Sequence, residues 1–329
     1  MLTSEYAQKI EVKKLMQALY EEMKSSKAFY SFISLIGLVV VSSLISSNFR
    51  TMDNMIVIIR QASVLLILSS GLTAVLLTGN IDLSVGATAG FVGCIGAQLL
   101  KAGWPTPLVF AAGIGVGAII GILNGTLSGI LPSFIATYGT NWVLSGLAII
   151  VMNGAVIFDL PKNFTKIGVG YIGAIPNLVI IVIIIDVIIY VILQKTTFGR
   201  QVYSYGSNPE TARYSGMPVK KIMISSFVMS SVCAGIAGMM ITARLNAADA
   251  AMGDSYGLQT VAAVVIGGTS MLGGEGGVIG TIIGALILTT IVNIMNIIGI
   301  TSYAQPMVVG VAIIAMVLFD KYTKHEKIA

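Results

Sequence analysis

Few side chains in this 329-residue sequence could do chemistry, because 56% of the residues are hydrophobic and only 10% are charged. A small polar set stands inside or beside the apolar runs. Its members are Asn80, Asp82, Asn124, Asn141, Asn246 and Asn293. Neutral amides suit a solute rich in hydroxyl groups, so the set predicts a path for such a solute. Amides also hold membrane helices to one another, and this is the alternative for any single one.

Asp186 is the one carboxylate deep inside a predicted membrane span. An ionisable residue in a membrane points by default to ion-coupled transport. No obvious basic partner accompanies Asp186, and the alternative is a carboxyl group that faces polar groups or water in a helix bundle. A proton- or sodium-coupled transporter is therefore one hypothesis.

Catalytic motifs are absent from the sequence. It contains no phosphate-binding loop of the GxxxxGK[ST] form and no HExxH motif. The only histidine is His325 in the C-terminal tail, which argues against a His-based triad within the membrane. Cys94 and Cys233 lie in apolar runs and give no metal-ligand spacing. The sequence predicts a protein that is not an enzyme and binds no metal or cofactor itself.

The longest polar segment, Lys195–Lys221, contains five basic residues. Asn208 can cap a helix start, and Pro209 suits the first helical position. Gly216 can close that helix in the left-handed conformation. The pattern predicts a helix of about two turns over Pro209–Ser215, too short to persist without packing. It is either a docking element for a cytosolic partner or an ordinary capped loop.

Charge-free apolar runs predict ten membrane spans, since each crossing needs about 20 apolar residues. Single spans are predicted at 28–49, 61–81, 83–100, 167–194, 222–243 and 255–274. The longer runs, 102–158 and 276–319, hold two spans each. The predicted fold class is an all-α polytopic membrane protein with about ten transmembrane helices. The membrane domain covers 28–320, between a cytosolic N-terminal segment, 1–27, and a cytosolic tail, 321–329.

The basic residues orient the chain. If the N-terminus is cytosolic, ten spans return the C-terminus to the same side, and 13 of the 19 Lys and Arg residues then face the cytosol. The net charge of +5 therefore reflects orientation in a membrane and not nucleic-acid binding. Residues 5–24 show an amphipathic helical pattern that either lies in the membrane interface or packs as a solvated helix on another subunit.

Glycine spacing predicts where helices pack. One stripe at four-residue intervals consists of Gly113, Gly117, Gly121, Gly125 and Gly129, and a second consists of Gly276, Gly280 and Gly284. Another helix can approach closely along such a stripe. Two segments fit poorly as plain helices: 78–86 (TGNIDLSVG) and 266–277 (IGGTSMLGGEGG). We expect turns or half-buried helix breaks there, close to the cytosolic side.

Two external loops, about 156–176 and 244–256, are long enough to meet another protein. Their charged residues are Asp159, Lys162, Lys166, Arg244, Asp249 and Asp254. Mixed charge suits a protein contact, and plain solvated loops are the alternative.

Six motifs resemble one known family and follow its order. They are TGNIDLSVG (78–86), GILNGTLSG (121–129), FIATYGT (134–140), TFGRQVYSYGSNPETARYSGM (197–217), ARLNAADAAMG (243–253) and AAVVIGGTSMLGGEGGVIGTIIGA (262–285). Together they make the chain similar to the permease subunits of bacterial ABC importers for monosaccharides of the ribose, galactose and xylose type. The resemblance covers most of the chain from about residue 30.

The resemblance implies a ten-span permease that pairs with a second copy or a sister permease. ATP and magnesium would be bound by a separate cytosolic ATPase subunit, and an external solute-binding protein would deliver the sugar. The polar segment would contain the coupling helix that sits in the ATPase. Its residues would be Gly206, Ser207, Asn208, Pro209, Glu210, Thr211, Ala212, Arg213, Ser215 and Gly216.

Two alternatives stay open. Branched-chain amino-acid permeases share the fold and a related coupling segment, although the ARLN and IGGTSMLGG runs are more similar to the sugar branch. An ion-coupled secondary transporter is the other alternative. The sequence also departs from the family, which commonly has Gly at the position of Asn80 and for which Asp186 is not expected. These departures leave the substrate undecided.

Overall fold

The computed structural model of the protein describes residues 27–301, 303–311 and 314. The predicted amphipathic segment 5–24 and tail 321–329 lie outside these residues. The first six helices are α1 (Lys27–Ile45), α2 (Met52–Leu77), α3 (Val85–Lys101), α4 (Thr106–Leu127), α5 (Ser133–Met152) and α6 (Lys162–Val169). The next six are α7 (Asn177–Lys195), α8 (Thr197–Ser207), α9 (Pro209–Tyr214), α10 (Val219–Leu245), α11 (Tyr256–Ile266) and α12 (Val278–Ile297). Four two-residue strands are β1 (Ile157–Phe158), β2 (Tyr171–Ile172), β3 (Ile175–Pro176) and β4 (Ala247–Ala248).

Six of these helices, α2, α4, α5, α7, α10 and α12, are long and apolar enough to cross a membrane. Shorter apolar helices are found at Phe29–Ile45 within α1, at α3 and at α11. The prediction of an all-α polytopic membrane protein is therefore confirmed.

Both predicted helix breaks are confirmed. Residues 79–84 are not in a helix, and neither are 267–277. Within the predicted span 255–274 only α11 is helical, so the predicted span was too long. Irregular backbone of this kind survives in a membrane protein where neighbouring elements cover it.

Helix α10 lies at the centre of the bundle and packs against α2, α3 and α4. Most of its side chains are buried, including Phe227 and Met239. It begins after α9 and ends before β4. Because it has 27 residues, its two ends are about 40 Å apart. We name these two ends of the bundle the α9 end and the loop end.

Four of the five glycines of the first stripe form the surface on which α4 packs against α10, whereas Gly129 lies in the turn after α4 and is exposed, so its place in the helical stripe was predicted wrongly. Gly113 lies at Met239, Gly117 at Ser231, Gly121 at Val228 and Gly125 at Ile224, so the two helices are antiparallel. In the second stripe, Gly284 lies against Ala263 of α11, and Gly280 lies against Gly267, the residue that follows α11. Gly276 precedes α12 and lies against Thr269, so the expectation that it belongs to the helical stripe was wrong.

Replacing Gly117 with alanine should lower the thermal unfolding midpoint of the protein in detergent. A Cβ atom there would lie 2.5 Å from the carbonyl oxygen of Ser231, and overpacking of this kind costs about 1–3 kcal/mol. Gly115 is the matched control, because a Cβ atom at that position has no heavy atom within 4 Å. Gly115→Ala should leave the midpoint unchanged or raise it, since alanine favours a helix. Equal midpoints for the two variants would contradict this packing.

Candidate functional site

Two short helices, α3 and α11, begin next to each other inside the bundle. A Cβ atom on Gly86 would lie 2.5 Å from the carbonyl oxygen of Gly253 and 2.8 Å from the amide nitrogen of Gly257. The non-helical segment 79–84 leads into α3 from the α9 end, whereas residues 249–255 lead into α11 from the loop end. The contact therefore joins two broken spans that enter from opposite ends.

Asp82 is the centre of a buried polar network at the first break. Its Oδ1 atom accepts hydrogen bonds from the amide nitrogen of Ser84 at 2.9 Å and from the Ser84 hydroxyl at 2.6 Å. Its Oδ2 atom accepts one from the Ser230 hydroxyl in α10 at 3.1 Å. Asn124 of α4 donates to the Ser84 hydroxyl at 2.8 Å. Because buried polar groups in a membrane must be satisfied internally, this network holds the start of α3 against α4 and α10.

The other predicted path residues lie apart from this network. Asn80 bonds to Thr78 at the α9 end. Asn246 accepts from the amide nitrogen of Leu160 at the loop end. Asn293 exchanges hydrogen bonds with Asn54, and Asn141 lies half-buried on α5. Of the six, the structure brings only Asp82 and Asn124 together.

Asp186 lines a cavity of about 270 Å³ between α2, α7 and α12. The other lining residues are aliphatic apart from Ser63, and the Asp186 Oδ1 atom has no hydrogen-bond partner among the described residues. No described metal-ligand cluster accompanies it. The carboxylate is buried but lacks a basic partner in the described part of the chain.

The predicted short helix is confirmed as α9. Asn208 caps it by accepting a hydrogen bond from the amide nitrogen of Thr211 at 2.9 Å, and Pro209 is its first residue. Gly216 follows the helix with φ +74°, the left-handed conformation expected of it. The preceding helix, α8, was not predicted; Thr196 caps it by accepting from Gly199.

Backbone contacts hold α8 against the bundle. Gly206 touches the carbonyl oxygen of Leu77 at the end of α2, and the amide nitrogen of Gly274 donates to the same oxygen at 2.9 Å. The Tyr203 hydroxyl donates to the carbonyl oxygen of Gly276 at 2.9 Å and accepts from Gln194 at 2.7 Å. Burial raises the pKa of Tyr203, which keeps this hydroxyl protonated. A displacement of α8 must therefore move the end of α2 and the loop before α12.

Helix α9 is exposed to solvent over nearly its whole surface. Ala212 is 2% exposed and faces the bundle, whereas Tyr214 is 89% exposed. Glu210 and Arg213 are also exposed. Tyr214 is not among the residues that the sequence singled out, although an aromatic residue in the last turn of a capped polar helix is a signal that could have identified it. Exposed tyrosine is a frequent anchor in protein interfaces.

The two predicted external loops form one surface. Strand β1 pairs with β4, so that Ile157 lies opposite Ala248. Gly168 of α6 touches the backbone of Ala243 at the end of α10. Most of the charged residues on this surface are exposed, namely Asp159, Lys162, Lys166 and Asp254, whereas Arg244 and Asp249 are half-buried. The pairing makes both loops available to one partner at the same time.

The chain matches the family described as branched-chain amino acid transport system / permease component over residues 54–317. The chain belongs to this permease family. It is 37% identical to the ribose import permease protein RbsC of Haemophilus influenzae over 304 residues, which cover 91% of this chain and 94% of that protein. It is 35% identical to the D-allose transport system permease protein AlsC of Escherichia coli K12, with 88% and 90% covered.

RbsC of Bacillus subtilis is 36% identical to this permease, with 88% of this chain and 91% of that protein covered. No solved structure matches the chain. The resemblance to monosaccharide importer permeases, read from the six motifs, is confirmed by these relatives. The expectation that this chain is a permease and not an enzyme is confirmed as well.

Replacing Asp82 with leucine should lower the thermal midpoint of the permease in detergent much more than replacing it with asparagine. Leucine leaves the amide and hydroxyl of Ser84 and the hydroxyl of Ser230 without an acceptor, and each buried unsatisfied group costs about 1–3 kcal/mol. Asparagine keeps one carbonyl oxygen for Ser84. If both variants unfold at the wild-type temperature, the network does not hold the break.

Proposed function

We propose that this chain is the membrane-spanning permease subunit of an ATP-driven, binding-protein-dependent importer of monosaccharides. The relatives named for ribose and D-allose transport support the substrate class over nearly their full lengths. The observation that carries the proposal is α9, a capped and exposed helix held to the bundle through the backbone contacts of α8. Such an element suits the transmission of a movement from a cytosolic partner into the membrane.

The proposed topology has ten spans and places the α9 end in the cytosol. Nine apolar helices account for nine spans, and the helical residues from Gln305 onward would begin the tenth. Both chain termini then lie in the cytosol of a bacterial cell with an inner membrane, in agreement with the distribution of basic residues. The surface built from β1, β4 and α6 would face the outside and receive the solute-binding protein.

ATP and magnesium would be bound by the partner ATPase, and α9 would sit in a cleft of that subunit. The exposed contact residues would be Ser207, Asn208, Pro209, Glu210, Thr211, Arg213, Ser215 and Gly216, with Tyr214 as the anchor. Gly206 and Ala212 face the bundle and would set the position of this surface. The ATPase can drive alternating access only if it binds the outward- and inward-facing permease with different free energies.

A second permease would cover the exposed face of α5. Trp142 lies halfway along this helix and is 64% exposed, and its ring meets that of Tyr138 with a centroid separation of 6.2 Å. Trp and Tyr facing lipid collect at the membrane interfaces, so a mid-span position suits a protein partner or a wet path. Asn141 borders this face, and its amide bonds to no other described residue, so it is the predicted path residue best placed to meet a solute.

Branched-chain amino-acid import is the second candidate, and the description of the matching family favours it. An ion-coupled transporter would depend on Asp186 and the cavity around it. The three functions differ in their energy source and in their substrate, so one transport experiment separates them.

Vesicles that contain the permease, its co-purified ATPase and the solute-binding protein should take up labelled ribose or allose only with ATP on the ATPase side. Uptake should survive collapse of the proton and sodium gradients, and excess leucine should not compete. Asp186→Asn should retain ATP-driven uptake. Uptake without ATP that follows an ion gradient and is lost in Asp186→Asn would overturn the proposal.

Replacing Tyr214 with alanine should weaken the association with the ATPase at least tenfold, because an exposed aromatic anchor is removed from α9. Tyr303 is the matched control, since it is 96% exposed and lies at the opposite end of α12 from the α9 end. Co-purification of the tagged permease in mild detergent, measured by quantitative mass spectrometry, compares the two. Full recovery of the ATPase with Tyr214→Ala would contradict the proposed contact.

A further inference from the structure

A cavity of about 340 Å³, lined by both polar and apolar residues, lies toward the loop end, apart from α9, from Asp82 and from Asp186. Five parts of the chain form its wall: α2, the end of α10, the start of α11, α12 and residues 305–309. Small-molecule sites have volumes of about 300–1,000 Å³, so the cavity is large enough for one small solute.

Three glutamines line this cavity: Gln61, Gln259 and Gln305. Gln305 donates to Asn296 at 2.6 Å. The amides of Gln61 and Gln259 make no hydrogen bond to another described residue, and the Oε1 atom of Gln61 is buried without a partner. A buried, unsatisfied amide costs about 1–3 kcal/mol, which is a reason to look for a ligand that satisfies it.

Arg244 adds a charge to the cavity wall. Its guanidinium donates to the carbonyl oxygen of Arg60 at 3.2 Å and forms no ion pair within the described ranges. Tyr256 and Ser255 contribute a ring and a hydroxyl group, and no acidic residue is among the described lining residues. The rest of the wall is mostly apolar and consists of Leu65, Leu288, Thr289, Val292, Pro306 and Val309. Amides, one guanidinium and one aromatic ring beside an apolar wall suit a compact, uncharged ligand that has both hydroxyl groups and an apolar face.

We infer that this cavity, formed by Gln61, Arg244, Tyr256, Gln259 and Gln305, is a binding site for one monosaccharide within a single permease chain, open to the outside. The inference rests on the proposed function and deepens it. The sugar hydroxyls would satisfy the amides of Gln61 and Gln259, and Arg244 would donate to sugar oxygens. The sugar would occupy this cavity after it leaves the binding protein and before it passes the two broken spans.

The first test uses Gln61→Leu, which removes the unsatisfied amide at nearly constant size. The thermal midpoint should stay equal or rise, while ATP-driven uptake of ribose or allose should fall about tenfold. Gln98 is the matched control: it lies outside the cavity and donates to the carbonyl oxygen of Val151 at 2.7 Å. Gln98→Leu should show the opposite pattern, with a lower midpoint and unchanged uptake per folded permease.

The second test labels a thiol in the cavity. The native Cys94 and Cys233 are buried, so a thiol introduced by Gln259→Cys is the reactive one. A membrane-impermeant maleimide added from outside should label it, and saturating sugar with the solute-binding protein should slow labelling at least threefold. This readout requires no transport.

Three outcomes would overturn the inference: wild-type uptake by Gln61→Leu, labelling that sugar does not slow, or labelling only by a lipid-soluble maleimide. The last outcome would mean that the cavity opens to lipid. If wild-type vesicles take up no monosaccharide with ATP, the proposed function itself fails. If the wild-type permease transports normally but the cavity variants behave like it, only the inference about the cavity fails.

Discussion

The close approach of α10 to its neighbours is the contact on which the rest of the permease depends. Lipid tails are as apolar as leucine, so burial of apolar side chains does not by itself hold two membrane helices together. Close packing must do so, and it requires residues without side chains. Gly117 and Gly121 of α4 let the α10 backbone come so near that a Cβ atom on either would lie 2.5 Å from it. Once α10 is fixed in this way, Ser230 reaches Asp82, and the broken segment before α3 gains its hydrogen bonds.

The two ends of the bundle are joined to this centre in different ways. At the α9 end, Gly206, Leu77 and Gly274 meet through backbone atoms, which have no rotamers to absorb a displacement. A displacement of α8 is therefore transmitted to α2 and to the loop before α12. At the loop end, β1 pairs with β4 and Leu160 donates to Asn246. Gly168 lies against the backbone of Ala243, and the side chain of Phe164 is fully buried. The outer surface is therefore fixed to the end of α10 by strand pairing and by buried side chains.

Local signals in the sequence predicted α9, its cap at Asn208, the glycine packing of α4 and both helix breaks. Each of these depends on residues within a few positions of one another. Contacts between distant residues could not be predicted in the same way: Asp82 and Ser230 are 148 residues apart. The cavity lined by the three glutamines could not be predicted either, because it combines residues from five separate parts of the chain. The asparagines could be singled out because they stand inside apolar runs. Gln61 and Gln305 stand where such runs begin or end, which is also where solvated residues are found, so the sequence did not distinguish them.

Hydrogen bonding separates the two kinds of polar group in this permease. Asp82, Asn293 and Asn246 all have partners within the chain, so their polarity is used to hold elements in place. Gln61 lacks such a partner among the described residues and still lies against a cavity, at a cost that an apolar residue of the same size would avoid. The Oδ1 atoms of Asn124 and Asp186 lack partners too, but the amide nitrogen of Asn124 is used in the Asp82 network, and Asp186 faces an almost wholly aliphatic cavity. Gln61 differs from both because Arg244 and two further glutamines line the same cavity. A chain selected for stability alone would lose that amide, because proteins easily acquire stabilising substitutions where function permits them. The unsatisfied amide is therefore the stronger indication of a ligand, and the satisfied carboxylate of Asp82 is the stronger indication of structure.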